Sequence, residues 1–261
     1  MKNKLLLLGI LCCCLLQACV IEGISFQHKN VSDYSNSDRP SPEDNTVSTD
    51  ESVNESHSTS ELQRRCLEKQ VTDYDGNNYH TVLVGNQCWL KENLRSTHGR
   101  DGKILNYYYP NGNYANVQTY GYLYEWRSAK SVCPKGWHLP TMDEWEKLED
   151  QLVLLGMSCG DGMQKQVAQA LASEKGWQSS PNSCTVGHNQ QSNNASGFSI
   201  LPAGFYNYEH YNNFGYKANF WSAKEYDAAY AYSFGMSYDN ASIKIFLDTK
   251  ASGFSVRCIQ D

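Results

Sequence analysis

After its first 18 residues, the sequence lacks any apolar stretch approaching the roughly 20 residues that a helix needs to cross a bilayer. It also lacks a surplus of positive charge, because 22 Lys and Arg stand against 28 Asp and Glu. An acidic surface does not attract phosphate backbones, so we expect no nucleic-acid partner. The seven histidines include no HxH or HxxxH pair. The sequence therefore predicts no metal site and no cofactor.

The start of the chain has the features of a bacterial lipoprotein signal. Lys2 and Lys4 precede an apolar run over residues 5–16, which is too short to span a membrane. The run ends in Leu-Gln-Ala-Cys, which resembles a lipobox. We predict a signal peptide at 1–18 and lipid attachment at Cys19. The alternative is a buried apolar helix, but the flanking lysines and the polar sequence that follows argue against it.

Residues 19–65 are predicted to be a disordered tether rich in Ser, Asn, Asp and Glu. As a random coil of about 45 residues, it would have a root-mean-square reach of about 35–40 Å. The tether would hold the following domain off the membrane. We expect attachment to the outer membrane through the lipid. Whether the protein is displayed on the cell surface is left undecided. Many surface-exported lipoproteins have an acidic run after the lipidated cysteine, and here residues 20–23 contain one acidic residue, Glu22.

The remaining chain, residues 66–261, is long enough for one domain with its own core. It contains six of the ten cysteines: Cys66, Cys88, Cys133, Cys159, Cys184 and Cys258. An even number in an exported chain favours disulfides over free buried thiols or redox chemistry. Six cysteines allow 15 pairings, and their positions alone do not choose between them.

Local patterns in this domain predict an α+β fold. A hairpin is expected over residues 71–85, with Asp75-Gly76 as its turn rather than as part of a calcium loop. Thr141 and Glu144 predict a capping box. It begins a helix whose apolar face carries Trp145, Leu148, Leu152 and Leu155. A shorter helix is expected over 163–173, followed by strands at 197–201, 219–222, 229–234, 242–247 and 253–259.

Several motifs resemble one family when they are taken in order along the chain. They are Val84–Leu94 (VGNQCWLKENL), Tyr120–Trp126 (YGYLYEW), Cys133–Thr141 (CPKGWHLPT), Phe198–Gly204 (FSILPAG), Phe220–Ala223 (FWSA) and Gly253–Cys258 (GFSVRC). This ordered set is similar to the Fibrobacter succinogenes major paralogous domain, and the similarity runs from about residue 66 to residue 261. Such domains occur mainly in lipoproteins of Bacteroidetes.

The resemblance implies a C-type-lectin-like fold, related to that of formylglycine-generating enzyme, without settling a function. It also implies a disulfide between Cys133 and Cys258, because both belong to its strongest motifs. For the other four cysteines we expect Cys66–Cys88, which closes a loop containing the hairpin, and Cys159–Cys184, which closes a turn-rich segment after the main helix. Palmitate on the lipidated cysteine fits the same lipoprotein class.

Five conspicuous side chains receive structural interpretations. Trp137, Trp145 and Trp221 are expected to meet in one core. Arg257 on the last strand is expected to pair with a carboxylate such as that of Glu144. His138 has no nucleophile or second metal ligand near it in the sequence, so we interpret it as structural and predict no catalytic residue.

The function best indicated by the residues is binding. Two Asn- and Gly-rich segments, residues 107–114 and 206–213, are dense in tyrosine, and we predict that they face solvent and contact a ligand. The predicted ligand residues are Tyr108, Tyr109, Tyr206, Tyr208 and Tyr211. Sugar rings stack on such aromatics, so the partner is expected to be a glycan or a surface protein. The alternative is that these tyrosines merely fill the edges of a β-rich fold.

Further alternatives concern chemistry and assembly. The calcium-dependent sugar site of C-type lectins is not expected, because the chain lacks Glu-Pro-Asn, Gln-Pro-Asp and Trp-Asn-Asp triplets. An oxidase resembling formylglycine-generating enzyme would need two cysteines near the end of the domain, where only Cys258 occurs. We therefore predict that the protein is not an enzyme. A structural subunit of a surface appendage or glycan-capture complex remains an alternative.

Overall fold

A computed structural model describes Glu61 and residues 63–67, 70–160 and 165–261. The predicted signal peptide, the lipid site Cys19 and nearly all of the predicted tether lie outside the described residues. Residues 63–67 are helical, so the end of the segment predicted to be disordered has local structure instead. Over the described ranges, no helix combines the length and apolar character needed to cross a bilayer.

The fold is a mixture of short helices and small antiparallel sheets. The α-helices are α1 (Val117–Tyr120), α2 (Trp126–Val132), α3 (Met142–Leu154) and α4 (Ala168–Leu171). The 3-10 turns are Pro110–Gly112, Tyr114–Asn116 and Gln190–Ser192. The strands are β1 (Val71–Thr72), β2 (Asn78–Tyr79), β3 (Thr81–Val84), β4 (Gln87–Leu90), β5 (Tyr107–Tyr108), β6 (Leu123–Tyr124), β7 (Trp137–His138), β8 (Phe205–Asn207), β9 (His210–Asn212), β10 (Lys217–Glu225), β11 (Tyr230–Ser237), β12 (Lys244–Thr249) and β13 (Ile259–Gln260).

Two larger sheets organise the described domain. One has the strand order β3-β4-β13-β7, so the last strand lies between segments from the first half of the domain. The other is the three-stranded sheet β10-β11-β12, which is built from neighbouring hairpins. Every pairing between these strands is antiparallel. This topology confirms the coarse prediction of a mixed helix and antiparallel-sheet fold.

The predicted turn in the first hairpin is confirmed. Gly76 has a φ of +81°, a conformation that glycine adopts at little cost. The Asp73 carboxylate accepts hydrogen bonds from the backbone N–H groups of Asp75 and Asn77, at 3.0 and 2.9 Å. The hydroxyl of Tyr79 donates to the other oxygen of Asp73. This acidic segment therefore uses its oxygens to shape a turn.

The main helix begins as predicted and ends sooner. Thr141 accepts a hydrogen bond from the Glu144 backbone N–H, and the Glu144 side chain accepts one from the Thr141 backbone N–H, which completes the capping box. Leu148 and Leu152 are buried. Leu155 was expected on the same face, but it is 52% exposed because the helix ends at Leu154 and the chain turns away.

The elements that follow are only partly those expected. The shorter helix is confined to Ala168–Leu171, and residues 161–164 lie outside the described residues. Strands β10, β11 and β12 confirm three predicted strands. Residues 197–201 form only an isolated β-bridge, through Ile200, instead of the predicted strand. Residues 253–258 make backbone hydrogen bonds to several different segments, so they do not form one continuous strand either. Helices α1 and α2 were not predicted.

The buried side chains form two clusters, and this overturns the expectation of one tryptophan core. The first, which we call the disulfide core, contains Trp137 and Trp221 together with four cysteines. The second, the helix–sheet core, contains Trp145 from α3. There Trp145 stacks on Phe234 of β11 at 4.2 Å and lies 4.8 Å from Trp89. Trp145 is separated from Trp137 and Trp221 because its helix, α3, packs against β3 and β10.

Arg257 does not pair with Glu144. Its side chain is fully buried, and it donates to the carbonyl oxygens of Phe198 (2.7 Å) and Leu90 (3.2 Å) and to the Asn93 amide oxygen (2.9 Å). Burial lowers the pKa of Arg257 to about 9. The guanidinium thus ties three chain segments together by neutral acceptors, while the Glu144 carboxylate is engaged at the start of α3.

The six domain cysteines form the three predicted disulfides, Cys66–Cys88, Cys133–Cys258 and Cys159–Cys184. The first two lie in the disulfide core, where all four cysteines are buried. Cys133–Cys258 spans a sequence separation of 125 and joins the segment before β7 to the segment before β13. The third bridge belongs to neither core and closes a loop at the surface.

Candidate ligand-binding surface

The first tyrosine-rich segment is held at its start by a short strand pair. Tyr107 pairs with Tyr124 and Tyr108 with Leu123 in an antiparallel arrangement. The chain then turns sharply through Pro110–Gly112, where the φ of Asn111 is +54°. Asn tolerates this left-handed conformation better than most residues. The turn directs the rest of the segment back across the surface.

The second segment is a tight hairpin formed by β8 and β9. Tyr208 and Glu209 occupy the two turn positions with φ values of +48° and +63°, as in a two-residue type I′ turn. The hairpin places Tyr206 directly opposite Tyr211. Tyr208 lies at the tip and is 79% exposed.

The two segments, about a hundred residues apart in sequence, meet through their rings. Tyr108 stacks on Tyr206 with 3.7 Å between ring centroids and an interplanar angle of 19°. Tyr211 lies 5.2 Å from Tyr206 and packs over Gly112, where a Cβ atom would stand 2.9 Å from the Tyr211 ring. We call Tyr108, Tyr206 and Tyr211, together with the neighbouring Tyr109, the tyrosine surface.

A glycine beneath the stack makes this approach possible. Gly253 exchanges two backbone hydrogen bonds with Tyr206, at 2.8 and 2.9 Å. A Cβ atom at Gly253 would lie 2.6 Å from the Tyr108 ring and 3.1 Å from Cβ of Tyr206. Any larger residue would therefore displace one of the stacked rings. The sequence motif around Cys258 thus supports the surface from below.

The hydroxyl of Tyr108 is oriented by a carboxylate. It donates to one oxygen of Glu125 at 2.9 Å, and the amide of Asn106 donates to the other at 3.0 Å. Burial, followed by the hydrogen bond to Glu125, raises the pKa of Tyr108 well above its usual value. The phenol therefore stays protonated and its ring is held in one orientation.

Tyr109 belongs to a second group of rings beside the stack. It lies 6.0 Å from Tyr122 and 5.7 Å, edge to face, from Tyr114. Tyr107 lies 4.3 Å from Tyr122, and burial raises the pKa of Tyr122 to about 12. A shallow cavity of about 570 Å³ runs along this side. Its borders are Ile104, Leu105, Asn106, Tyr107, Tyr108, Tyr109, Glu125 and Tyr211.

Comparison with known protein families identifies the domain. The family model described as the Fibrobacter succinogenes major domain matches residues 82–260, well over half of the chain. The chain belongs to this family. No curated protein and no solved structure is significantly similar to the chain. Membership of the Fibrobacter succinogenes major domain family identifies the domain without assigning it an activity.

In this Fibrobacter succinogenes major domain, the five predicted ligand residues are not all brought together. Tyr108, Tyr206 and Tyr211 contact one another, Tyr109 lies in the adjacent group, and Tyr208 stands alone at the hairpin tip. The stacked rings are half-buried and partly pack on each other. That arrangement is compatible with ligand contact and also with a filling role at the edge of the fold.

Two residues that shape the tyrosine surface were missed from the sequence. Glu125 and Gly253 both lie inside the quoted family motifs, but nothing in the spacing indicated that they would meet the tyrosines. Glu125 orients a phenol, and Gly253 leaves room for a stack. The signal that could have found them is the combination of a carboxylate and a glycine within motifs that are otherwise aromatic and apolar.

His138 lies between two carboxylates. Its Nδ1 is 2.7 Å from an oxygen of Asp261 and its Nε2 is 2.9 Å from an oxygen of Glu144. Because carboxylates accept, both hydrogen bonds form together when the ring carries a proton on each nitrogen. Partial burial opposes this charge, but the hydrogen bonds to Asp261 and Glu144 outweigh it and raise the pKa of His138. Over the described ranges, no cluster of three His, Cys, Asp or Glu side chains is arranged to hold a metal.

Proposed function

We propose that this protein is a non-catalytic binding module, carried on the cell envelope by a lipid at Cys19, whose tyrosine surface recognises a glycan or a surface protein without calcium. The observation that carries the proposal is the stack of Tyr108 on Tyr206, in which two distant loops converge. Tyrosine combines a large contact area with a hydroxyl for hydrogen bonding and loses little conformational entropy.

The surface is ordered before any ligand arrives. Glu125 holds the Tyr108 hydroxyl, and Gly253 pairs with the Tyr206 backbone, so the rings need not be immobilised on binding. Preorganisation of this kind lowers the free-energy cost of association. Half-exposed rings bordered by polar side chains suit the apolar face and the hydroxyl edge of a sugar.

For the fold we propose a C-type-lectin-like domain. Small antiparallel sheets, a single long helix and a disulfide linking the region before β7 to the last strand support this assignment. The proposed binding is independent of calcium. In support of that, the carboxylates of Asp73 and Asp75 are already occupied by hydrogen bonds within the first hairpin and to Thr97.

A non-catalytic role is supported by the state of the cysteines. Cys258, which an oxidase of the formylglycine-generating type would need as a free thiol, is bonded to Cys133 and fully buried. His138, the other conspicuous reactive side chain, has both ring nitrogens engaged. Neither group is placed to attack a substrate.

A structural subunit of a larger assembly is the second candidate. Strand β12 lies at the edge of its sheet, and Ile245 and Leu247 on it are 46% and 45% exposed. An open edge with apolar side chains can pair with another chain. Concentration-dependent association that Leu247→Asp abolishes would favour this role over ligand capture.

A glycan array probed with the full chain, with and without a chelator, tests the main proposal. We expect glycan binding that survives chelation and that Tyr108→Ala weakens by about tenfold, the scale of one lost ring contact. Tyr226→Ala, which removes an exposed tyrosine elsewhere, is the matched control. Loss of binding on chelation, or equal losses in the two variants, would contradict the proposal.

The anchor is tested separately. Cys19→Ala is expected to leave an unlipidated precursor that takes up no labelled fatty acid, because the acceptor thiol is missing. The control is Cys12→Ala, which alters a cysteine inside the predicted signal peptide. Normal acyl labelling of Cys19→Ala would refute lipid attachment at this residue.

A further inference from the structure

The sheet β10-β11-β12 has one buried face and one face that is only partly covered. Strand residues alternate between the faces, and Phe234 on one face stacks on Trp145 in the helix–sheet core. On the opposite face, the end bearing Trp221 and Ala231 is covered by the disulfide core. The other end of that face, which bears Lys217 and Asn219, is left open as a groove.

This groove has the dimensions of a small-molecule site. Its volume is about 440 Å³, within the range of roughly 300–1,000 Å³ that is usual for ligand pockets. The residues that define its chemistry are Lys217, Asn219, Gly235, Lys244, Phe246 and Asp248. They come from all three strands, so the sheet itself fixes their spacing.

A glycine sets the shape of the groove. A Cβ atom at Gly235 would lie 2.8 Å from the Phe246 ring and 3.2 Å from the amide nitrogen of Asn219. Gly235 therefore lets the ring lie across the central strand. Because Phe246 is still 45% exposed, its ring forms an apolar wall next to polar groups.

The side-chain oxygen of Asn219 has no hydrogen-bond partner among the residues that the structure describes. The residue is 7% exposed, and it lines the groove. A buried acceptor without a donor is unfavourable, and native structures rarely leave one unexplained. An O–H or N–H group in the groove would satisfy it.

The charged side chains around Asn219 indicate that the ligand has no net charge. Lys217 and Lys244 are balanced by Asp239 and Asp248, so the lining carries no net charge. Burial raises the pKa of Asp248, whose carboxylate accepts a hydrogen bond from Ser233. The groove therefore combines hydrogen-bond donors, hydrogen-bond acceptors and an apolar wall, and it has no net charge. Sugar hydroxyls both donate and accept, and a sugar ring has an apolar face.

We propose that the groove on β10-β11-β12 binds a neutral sugar residue, with Phe246 against the ring face and Asn219 and Asp248 accepting from its hydroxyls. The groove is separate from the tyrosine surface. Alternation along β8 places Tyr206 in the stack, whereas Phe205 and Asn207 line the groove. The two sites lie on opposite sides of one strand, and a second point of contact for a glycan chain rests on the function proposed above for the tyrosine surface.

Saturation-transfer NMR on the full chain tests this site with glucose, galactose and xylose as probes and with glucuronate and glycine as comparisons. We expect saturation transfer to the neutral sugars at millimolar concentration. Phe246→Ala and Asp248→Asn should each weaken their binding by about tenfold, as the loss of one good contact predicts. Gly235→Ala, which forces the ring out of place, should do the same.

Leu247→Ala is the matched control, because Leu247 follows Phe246 on the edge strand, is equally exposed at 45%, and points to the other face. It should leave sugar binding unchanged, and so should Tyr108→Ala, which separates this site from the tyrosine surface. The proposal is overturned if no neutral sugar binds, if glycine or glucuronate binds in preference, or if Leu247→Ala loses as much as Phe246→Ala.

Discussion

The disulfide core and the helix–sheet core are stabilised by different kinds of interaction. The disulfide core gathers very short strands, including β4, β6 and β7, and loop segments, and two buried disulfides lie within it. The helix–sheet core contains no cysteine and lies between α3 and the longest strands of the domain. Covalent links occur where regular structure is scarce.

The two proposed binding sites are placed differently relative to the two cores. The tyrosine surface rests on the disulfide core, because Tyr107 and Tyr109 pack against it. The groove with Asn219 and Phe246 lies on the three-stranded sheet that packs on the helix–sheet core. The tyrosine surface thus lies on the disulfide core, whereas the groove lies on the three-stranded sheet and borders the disulfide core through Phe205.

Removal of a disulfide should have the largest effect on stability. In the chain-entropy model, losing Cys133–Cys258 with its separation of 125 costs close to 5 kcal/mol, against about 3.5 kcal/mol for Cys159–Cys184 with its separation of 25. We expect the double variant Cys133→Ala/Cys258→Ala to unfold at much lower denaturant concentration than Cys159→Ala/Cys184→Ala. Equal losses for the two pairs would contradict the special role of the disulfide core.

Truncation in the other core comes next. Trp145→Ala should lower the free energy of unfolding by about 3–5 kcal/mol, because it leaves a large cavity beside Phe234. Hydrogen exchange should accelerate first in β10 and β11, which pack on that ring. The exposed Leu154→Ala, on the same helix, serves as control. Uniform acceleration over both cores would show that they unfold as one unit.

A smaller effect is expected at the tyrosine surface. Gly253→Ala should cost about 1–3 kcal/mol, since its new methyl group collides with Tyr108 and Tyr206. Near-ultraviolet circular dichroism should change as the stack separates, whereas exchange in the helix–sheet core should not. Tyr208→Ala at the hairpin tip should change neither quantity, because its ring is 79% exposed. An unaltered tyrosine spectrum in Gly253→Ala would disprove the tight stack.

The smallest effect concerns pH. The pKa of His138 is raised, so its protonated form stabilises the fold below the ordinary histidine value of about 6.5, and this contribution disappears as pH rises through the folded pKa. The ring is about one-third exposed, which limits the effect to under about 1 kcal/mol. Urea unfolding of wild type and His138→Gln at about pH 5 and about pH 9 should therefore differ only at the lower pH.

The predictions that the structure confirms concern contacts between residues close in sequence, or disulfides. The Thr141–Glu144 capping box and the Asp75-Gly76 turn depend on contacts within a few residues, so short patterns predict them. Resemblance to a family supplied the pairing of Cys133 with Cys258. The prediction for Arg257 was wrong because its acceptors, on Leu90, Asn93 and Phe198, include two backbone carbonyls that no sequence pattern distinguishes.

The sequence alone was sufficient to identify the family, the mixed helix and sheet class and the start of the main helix, because these follow from short patterns and motif order. The pairing of Cys133 with Cys258 came from the resemblance to the family. The tertiary structure decided which distant groups meet. It divided Trp145 from Trp137, joined Tyr108 to Tyr206 over Gly253, and left Asn219 facing an open groove. Such contacts arise from how several segments fill space together, and no local pattern records that outcome.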